Sequence, residues 1–228
     1  MAISCHLFWH DIQHGLLHFD KGIIFSIKEL FTRPGHTIRD FIVGKRVKHF
    51  KPISLVVLLA GIYGFLYHYL QINILENTIH VTGSGEKVVQ LQENVSKLGE
   101  WIFEHYSIIA FLQIPIFSIG TFLAFRKVGY NFIEHLVINA FLAAQRLTLQ
   151  IITFPLHYNF NGTQILKSNF GIVDIVGYVI MAWTLSQLFN SLSRTQRVWR
   201  ILLSFFIASL IHVLLFVIMG TLMFQYYS

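Results

Sequence analysis

The sequence predicts an all-α, polytopic membrane bundle of about five spans, oriented N-in/C-out, with an interfacial amphipathic helix ahead of the spans. Three observations lead there. Of 228 residues, 54% are hydrophobic and only 12% charged, about half the charge of an ordinary soluble domain. Apolar runs near 20 residues recur along the chain, the length a helix needs to cross a bilayer. The basic residues fall in groups that alternate with those runs, and basic flanks stay on the cytoplasmic side.

The segment before the spans is organised by period. From Phe8 to Leu30 the apolar residues Phe8, Ile12, Leu16, Phe19, Ile23, Ile27 and Leu30 recur every three or four positions, one face of a helix. His6, His10, His14, His18 and Lys21 occupy the other side. That many polar groups exclude a span, so the segment is expected in the interface or on the cytoplasmic ends of the spans. It is not a signal peptide either, because His10-Asp11 interrupts the place of the apolar core. Thr32-Arg33-Pro34-Gly35 stops the helix, and a short second helix over Thr37–Val43 is predicted before Gly44.

A basic collar follows: Arg33, Arg39, Lys45, Arg46, Lys48 and Lys51 against Asp40. Each such cation near an anionic leaflet is worth about 1 kcal/mol, so the collar anchors residues 33–52 to lipid headgroups and fixes the orientation of the rest. Residues 1–52 form the cytoplasmic part and 53–228 the bundle. The net charge of +6 is thereby assigned to the membrane surface, and nucleic acid is not the expected partner. A single cysteine, Cys5, excludes an intrachain disulfide.

The spans are predicted at about 53–70, 102–125, 131–154, 170–190 and 201–224. An external polar segment, Gln71–Glu100, carries an amphipathic stretch near 84–100 that runs into span two, where Pro115 introduces a kink. Pro155–Asn169 is read as an outer loop, and Arg194, Arg197 and Arg200 as marking an inner one. Span three contains Gln145, Arg146 and Gln150, which make its insertion expensive. A re-entrant span three would leave four spans.

Two constellations could carry chemistry. His6, His10, His14 and His18, spaced by four, could share a divalent metal, with Cys5 or Asp11 adding a ligand. A solvated polar face is the simpler reading of that stripe, and no cofactor is otherwise expected. On span three His135, Asn139, Arg146 and Gln150 share a face. Asp174 in span four is the natural partner of Arg146, and Gln113 and His212 could join. This polar seam is either an ion or anion pathway or a set of bonds that lock helices together. There is no G-x-S-x-G, Walker or dinucleotide fingerprint and no carboxylate pair, so an enzyme is not expected.

Phe19-Asp20-Lys21-Gly22, Lys28 to Gly35, Ile38 to Arg46 and Phe50-Lys51-Pro52 resemble a family of uncharacterised multi-pass membrane proteins, mainly of Bacteroidetes, known as DUF3667. The resemblance covers about residues 10–70. It implies a bacterial inner-membrane protein and supplies no activity. Many members carry an N-terminal zinc ribbon with paired cysteines, which this chain lacks.

The leading expectation is a non-enzymatic protein that acts by self-assembly or by binding a cytoplasmic partner, an oligomeric pore or accessory and defence effector included. The second is a channel or transporter built on the Arg146–Asp174 seam. The third is a metal-dependent membrane enzyme using the histidine stripe.

Overall fold

A computed structural model describes residues 22–45, 50–70, 105–161 and 163–227, with isolated helical positions at 89, 90, 93, 97 and 101. Among the described residues every regular element is helical. A helix over 22–32 (α1) ends at a bend on Arg33, where α2 (Pro34–Ile42) starts with its proline in the first turn. Proline fits there because it lacks only an N–H that would have no helical acceptor. Five long helices follow: α3 (Pro52–Tyr69), α4 (Tyr106–Phe125, then one 3₁₀ turn over Arg126–Val128), α5 (Phe132–Asn159), α6 (Gln164–Leu188) and α7 (Arg194–Tyr227). Each of these five is long and apolar enough to cross a membrane, so the chain is a multi-pass membrane protein.

Span three is one unbroken helix. Gln145 lies in the middle of α5, yet both ends of its amide are engaged: Nε2 donates to the Leu30 carbonyl near the end of α1, and Oε1 accepts from Thr184 Oγ1 of α6 at 3.0 Å. The polar group that made insertion look costly is thus used to seat α1 against α5 and α6, a better outcome in a low dielectric than an orphaned amide. The N-terminal pair of helices is accordingly docked, with Leu30, Ile38 and Phe41 all buried. Gly35 permits this contact. A Cβ there would lie 2.5 Å from Gln187 Cβ on α6, and its N–H donates to Gln187 Oε1 at 3.3 Å.

Several boundaries differ from the sequence reading, α2 among them, which starts at Pro34 rather than Thr37. α4 is described from Tyr106, and residues 102–104, where the span was expected to begin, lie outside the described residues. Pro155 lies inside α5, which runs on to Asn159, and α6 starts at Gln164, so the outer loop shrinks to residues 160–163. Proline there removes one helical hydrogen bond without ending the helix, because all the other backbone groups still need internal partners in a bilayer. Arg194, Arg197 and Arg200 belong to the first turns of α7 rather than to a loop. Arginine is a good helix former, and here it reaches other helix ends: Arg197 Nη1 donates to Ser186 O of α6 at 2.9 Å and Arg200 Nη1 to Ala124 O of α4 at 3.0 Å. Cations at those carbonyls complement the negative ends of two helix dipoles.

The connectivity puts the starts of α3, α5 and α7 and the ends of α4 and α6 at one end of the bundle, referred to below as the basic end. Phe125 and Phe189 stack at 3.8 Å to join the ends of α4 and α6. α5 begins with a capping box, Asn131 Oδ1 accepting from Glu134 N–H while the Glu134 carboxylate accepts from Asn131 N–H. α4 and α7 meet through small residues, Gly120 against Ser204 and Ala208, and a Cβ on Gly120 would lie 2.5 Å from Ser204 O. Without a hydrophobic force between helices in lipid, such close backbone approach is what holds them together. α3 lies along α5, where Tyr63 is buried edge-on against Phe154 at 6.0 Å. α6 and α7 make few contacts with each other, and the gap between them is where the site opens.

Candidate functional site

Arg146 is the hub. It stands 14 residues from the start of the 28-residue α5, about 21 Å along the helix and so near mid-depth. Its Nη1 donates to Gln113 Oε1 of α4 at 3.2 Å and its Nη2 to Asp174 Oδ1 of α6 at 3.4 Å. The guanidinium also sits over the Tyr178 ring, 5.2 Å from its centroid. The ion pair is long and single-pronged, whereas a strong arginine–carboxylate pair is bidentate at about 2.7–2.9 Å. Exposure is uneven as well: the Arg146 side chain is 14% exposed and that of Asp174 49%.

Two spaces flank the guanidinium. The larger is a cleft of about 540 Å³ lined by Gln113 and Phe117 of α4, Arg146 of α5, Asp174 and Tyr178 of α6, and Phe205, Ser209 and His212 of α7. The smaller, about 20 Å³, lies between α4, α5 and α6 with Gln113, Asn139, Arg146 and Gln150 on its wall. That is room for about one water, and Asn139 Oδ1 is buried there without a partner. His212 presents a defined edge to the cleft. Its Nδ1 lies 2.8 Å from the Ala208 carbonyl, which can only accept, so Nδ1 carries the proton and Nε2 is an acceptor while the ring is neutral.

Beyond the small chamber the polar groups tighten into a dry network. Asn139 Nδ2 donates to Thr121 Oγ1 and to His135 O, both at 2.8 Å, and His135 Nδ1 lies 3.0 Å from Thr121 Oγ1. His135 is fully buried and its ring lies against Phe122, Tyr130 and Phe189. At the turn after α4, burial pushes the Tyr130 phenol up, partly offset by the Arg39 guanidinium, so it stays neutral at physiological pH.

The six seam positions therefore occupy three stations. Arg146, Asp174 and His212 line the open cleft, Asn139 and Gln150 join Arg146 around the small chamber, and His135 stands beyond, linked through Thr121. Tyr178, Ser209 and Thr121 were not singled out in the sequence. Tyr178 is four residues after Asp174 and Ser209 three before His212, so helical spacing from the charged residues points to both. Thr121 has no such pointer.

The collar divides differently. Arg33 pairs with Glu29, Lys45 with Asp40 at 3.1 Å, and Arg39 Nη1 donates to Asn190 Oδ1 just past α6 at 2.8 Å. Lys51 immediately precedes α3, whereas Arg46 and Lys48 lie outside the described residues. So do His6, His10, His14 and His18. Among the described residues no group of three His, Cys, Asp or Glu side chains is placed to hold a metal.

A family model described as a protein of unknown function (DUF3667) matches residues 20–64. The matched stretch takes in α1, α2 and most of α3, and ends before every helix that lines the Arg146 cleft. No curated protein and no solved structure matches the chain.

Proposed function

We propose that this multi-pass protein, of a bacterial inner membrane, works by binding and passing a small anionic solute through the Arg146 cleft rather than by catalysis. One observation carries the reading: a guanidinium at mid-depth holds its carboxylate by a single 3.4 Å bond while facing a cleft of about 540 Å³. A charge at a helix centre costs about 2.5–3.5 kcal/mol on insertion scales, and residues that bear this cost face protein or a water-filled cavity on a substrate route. An arginine serving only as a pin between helices would be expected in a closed, saturated environment, as Gln145 is. The test is flux: purified protein in liposomes is loaded with acetate, nitrate or chloride and efflux is followed for wild type and Arg146→Leu. Loss of flux in a variant that keeps its helical content and elution volume supports the reading. Equal flux from both, or flux from neither, rejects it.

A second reading, assembly with further copies, rests on α7. Every residue from Val213 to Ile218 is about half exposed, so this stretch is apolar on all sides and leans on no neighbour. Lipid alone accounts for such a surface, and a second copy set against α6 and α7 would also close the cleft. Detergent-corrected light scattering distinguishes a monomer from an oligomer. In either case the basic end would contact anionic headgroups on the cytoplasmic side.

A further inference from the structure

We propose that the guest of the Arg146 cleft is a small organic monocarboxylate with an apolar body, and that it binds together with one proton, taken by Asp174. The inference rests on the anion-site reading and adds both a substrate class and a coupled ion. Two features of the cleft support it: its walls and its charge balance.

The walls select an amphiphile. Phe117, Tyr178 and Phe205 line the cleft beside the guanidinium, with Phe117 and Tyr178 centroids 6.3 Å apart and Tyr178 edge-on to Phe205 at 5.6 Å. An inorganic anion would occupy the arginine and leave this aromatic surface unmatched. A carboxylate matches the planar fork of arginine with two parallel hydrogen bonds, and an aromatic or branched body lies in the cleft against the wall these rings form. Lipid phosphates are a poor fit because they sit at headgroup depth, while Arg146 is about 20 Å from either end of α5.

The charges then dictate the proton. Arg146 supplies one positive charge and Asp174 one negative. The other titratable groups facing Asp174 are His212 from α7, His157 from α5, which is within electrostatic range, and the Tyr178 phenol on its own helix. The bond from His212 Nδ1–H to Ala208 O turns Nε2 toward the cleft. An entering monoanion would leave a net negative charge at mid-depth, which is costly in a low dielectric. Asp174 can remove it. The guest carboxylate replaces Asp174 Oδ1 on Arg146 Nη2. The freed Asp174 carboxylate, half exposed to the cleft, then takes up one proton from the bulk solution, released there by the buffer acid, whose conjugate base stays in solution. One hydrogen-bonded pair is exchanged for another, one O–H bond forms on Asp174, and no electrons move.

The experiment is calorimetric titration of the full-length protein in detergent with benzoate, near neutral pH, in two buffers of different ionisation enthalpy. About one proton taken up per benzoate bound is expected, with affinity falling about tenfold per pH unit where the empty site is ionised and the filled one protonated. Asp174→Asn should bind benzoate at least about tenfold more tightly at mildly alkaline pH, with no proton uptake. Should that variant fail to fold, the wild-type buffer pair decides alone. Benzoate binding without protons overturns the coupling and leaves the anion site standing. Nitrate or chloride binding through Arg146 without benzoate overturns the substrate class. Proton uptake that persists in Asp174→Asn and disappears in His212→Gln overturns the assignment to Asp174. If no anion binds, the underlying site reading falls with the proposal.

Discussion

The basic end and the mid-bundle cleft both place polar and charged side chains among apolar helices, and they treat them in opposite ways. At the basic end Arg39, Arg197 and Arg200 each direct an Nη1 to a helix-end carbonyl or to Asn190, and Asn131 and Glu134 bond each other's backbone; at mid-bundle, where α1 docks, Gln145 bonds on both sides of its amide. In the cleft Arg146 has one long ion pair, Asp174 is half exposed, and Asn139 Oδ1 faces a chamber with no partner. The groups that hold the fold together each make at least one short bond, because an unmade bond in a low dielectric costs more than a made one contributes, although Arg197 Nε and His135 Nε2 are buried without a partner. Polar groups that receive a guest keep capacity in reserve. This contrast separates structure from function here more clearly than residue type does, since arginine serves at both places.

Substitutions can sharpen or break the contrast, because changes at the basic end and at the α1–α2 docking seam should cost stability and cleft changes should cost binding. The largest effect is expected of Gly35→Val. Its Cβ would meet Gln187 Cβ at 2.5 Å and the Gln187 and Leu188 backbone at 2.7 Å, and neither backbone atom can give way. Undocking of α1–α2, at about 3 kcal/mol, should appear as a lower midpoint in denaturant unfolding followed by tryptophan fluorescence. Next comes Gln145→Leu, which strands the Leu30 carbonyl and the Thr184 hydroxyl and should cost about 1–3 kcal/mol in the same assay. Arg200→Gln removes the cap on α4 and should cost about 1 kcal/mol. The smallest stability effect, within about 1 kcal/mol, is expected of Arg146→Gln, since its partners are a half-exposed carboxylate that open space can solvate and a glutamine beside that space. A drop as large as that of Gln145→Leu would erase the distinction between the two regions.

Much of the fold was legible because a bilayer imposes simple arithmetic: apolar length sets the spans and charge spacing sets their ends. The break at Thr32–Pro34 and the short helix after it were readable from proline chemistry, and the latter is present as α2. Hydropathy failed where a boundary depends on hydrogen bonding rather than composition. It placed Pro155 and the arginines from Arg194 onward in loops, although α5 and α7 run through them. The pairing of Arg146 with Asp174 followed from the cost of a lone charge, and the structure brings the two together. The partner of Gln145 was out of reach, because it is a backbone carbonyl 115 positions earlier in the chain and no residue type marks it. The aromatic wall was hidden for a related reason: Phe117 and Phe205 are unremarkable in a chain holding 22 phenylalanines, and only packing sets these two against a guanidinium.

The central claim is that Arg146 is held ready for a guest, and thermal unfolding with and without benzoate addresses it most directly. A ligand that binds only the folded state raises the midpoint in proportion to the logarithm of its concentration above Kd. Wild type should be stabilised by benzoate, while Arg146→Gln should unfold near the wild-type midpoint and show no response. A wild-type midpoint indifferent to benzoate, together with an Arg146→Gln variant that unfolds many degrees lower, would make Arg146 a pin between helices and contradict the account.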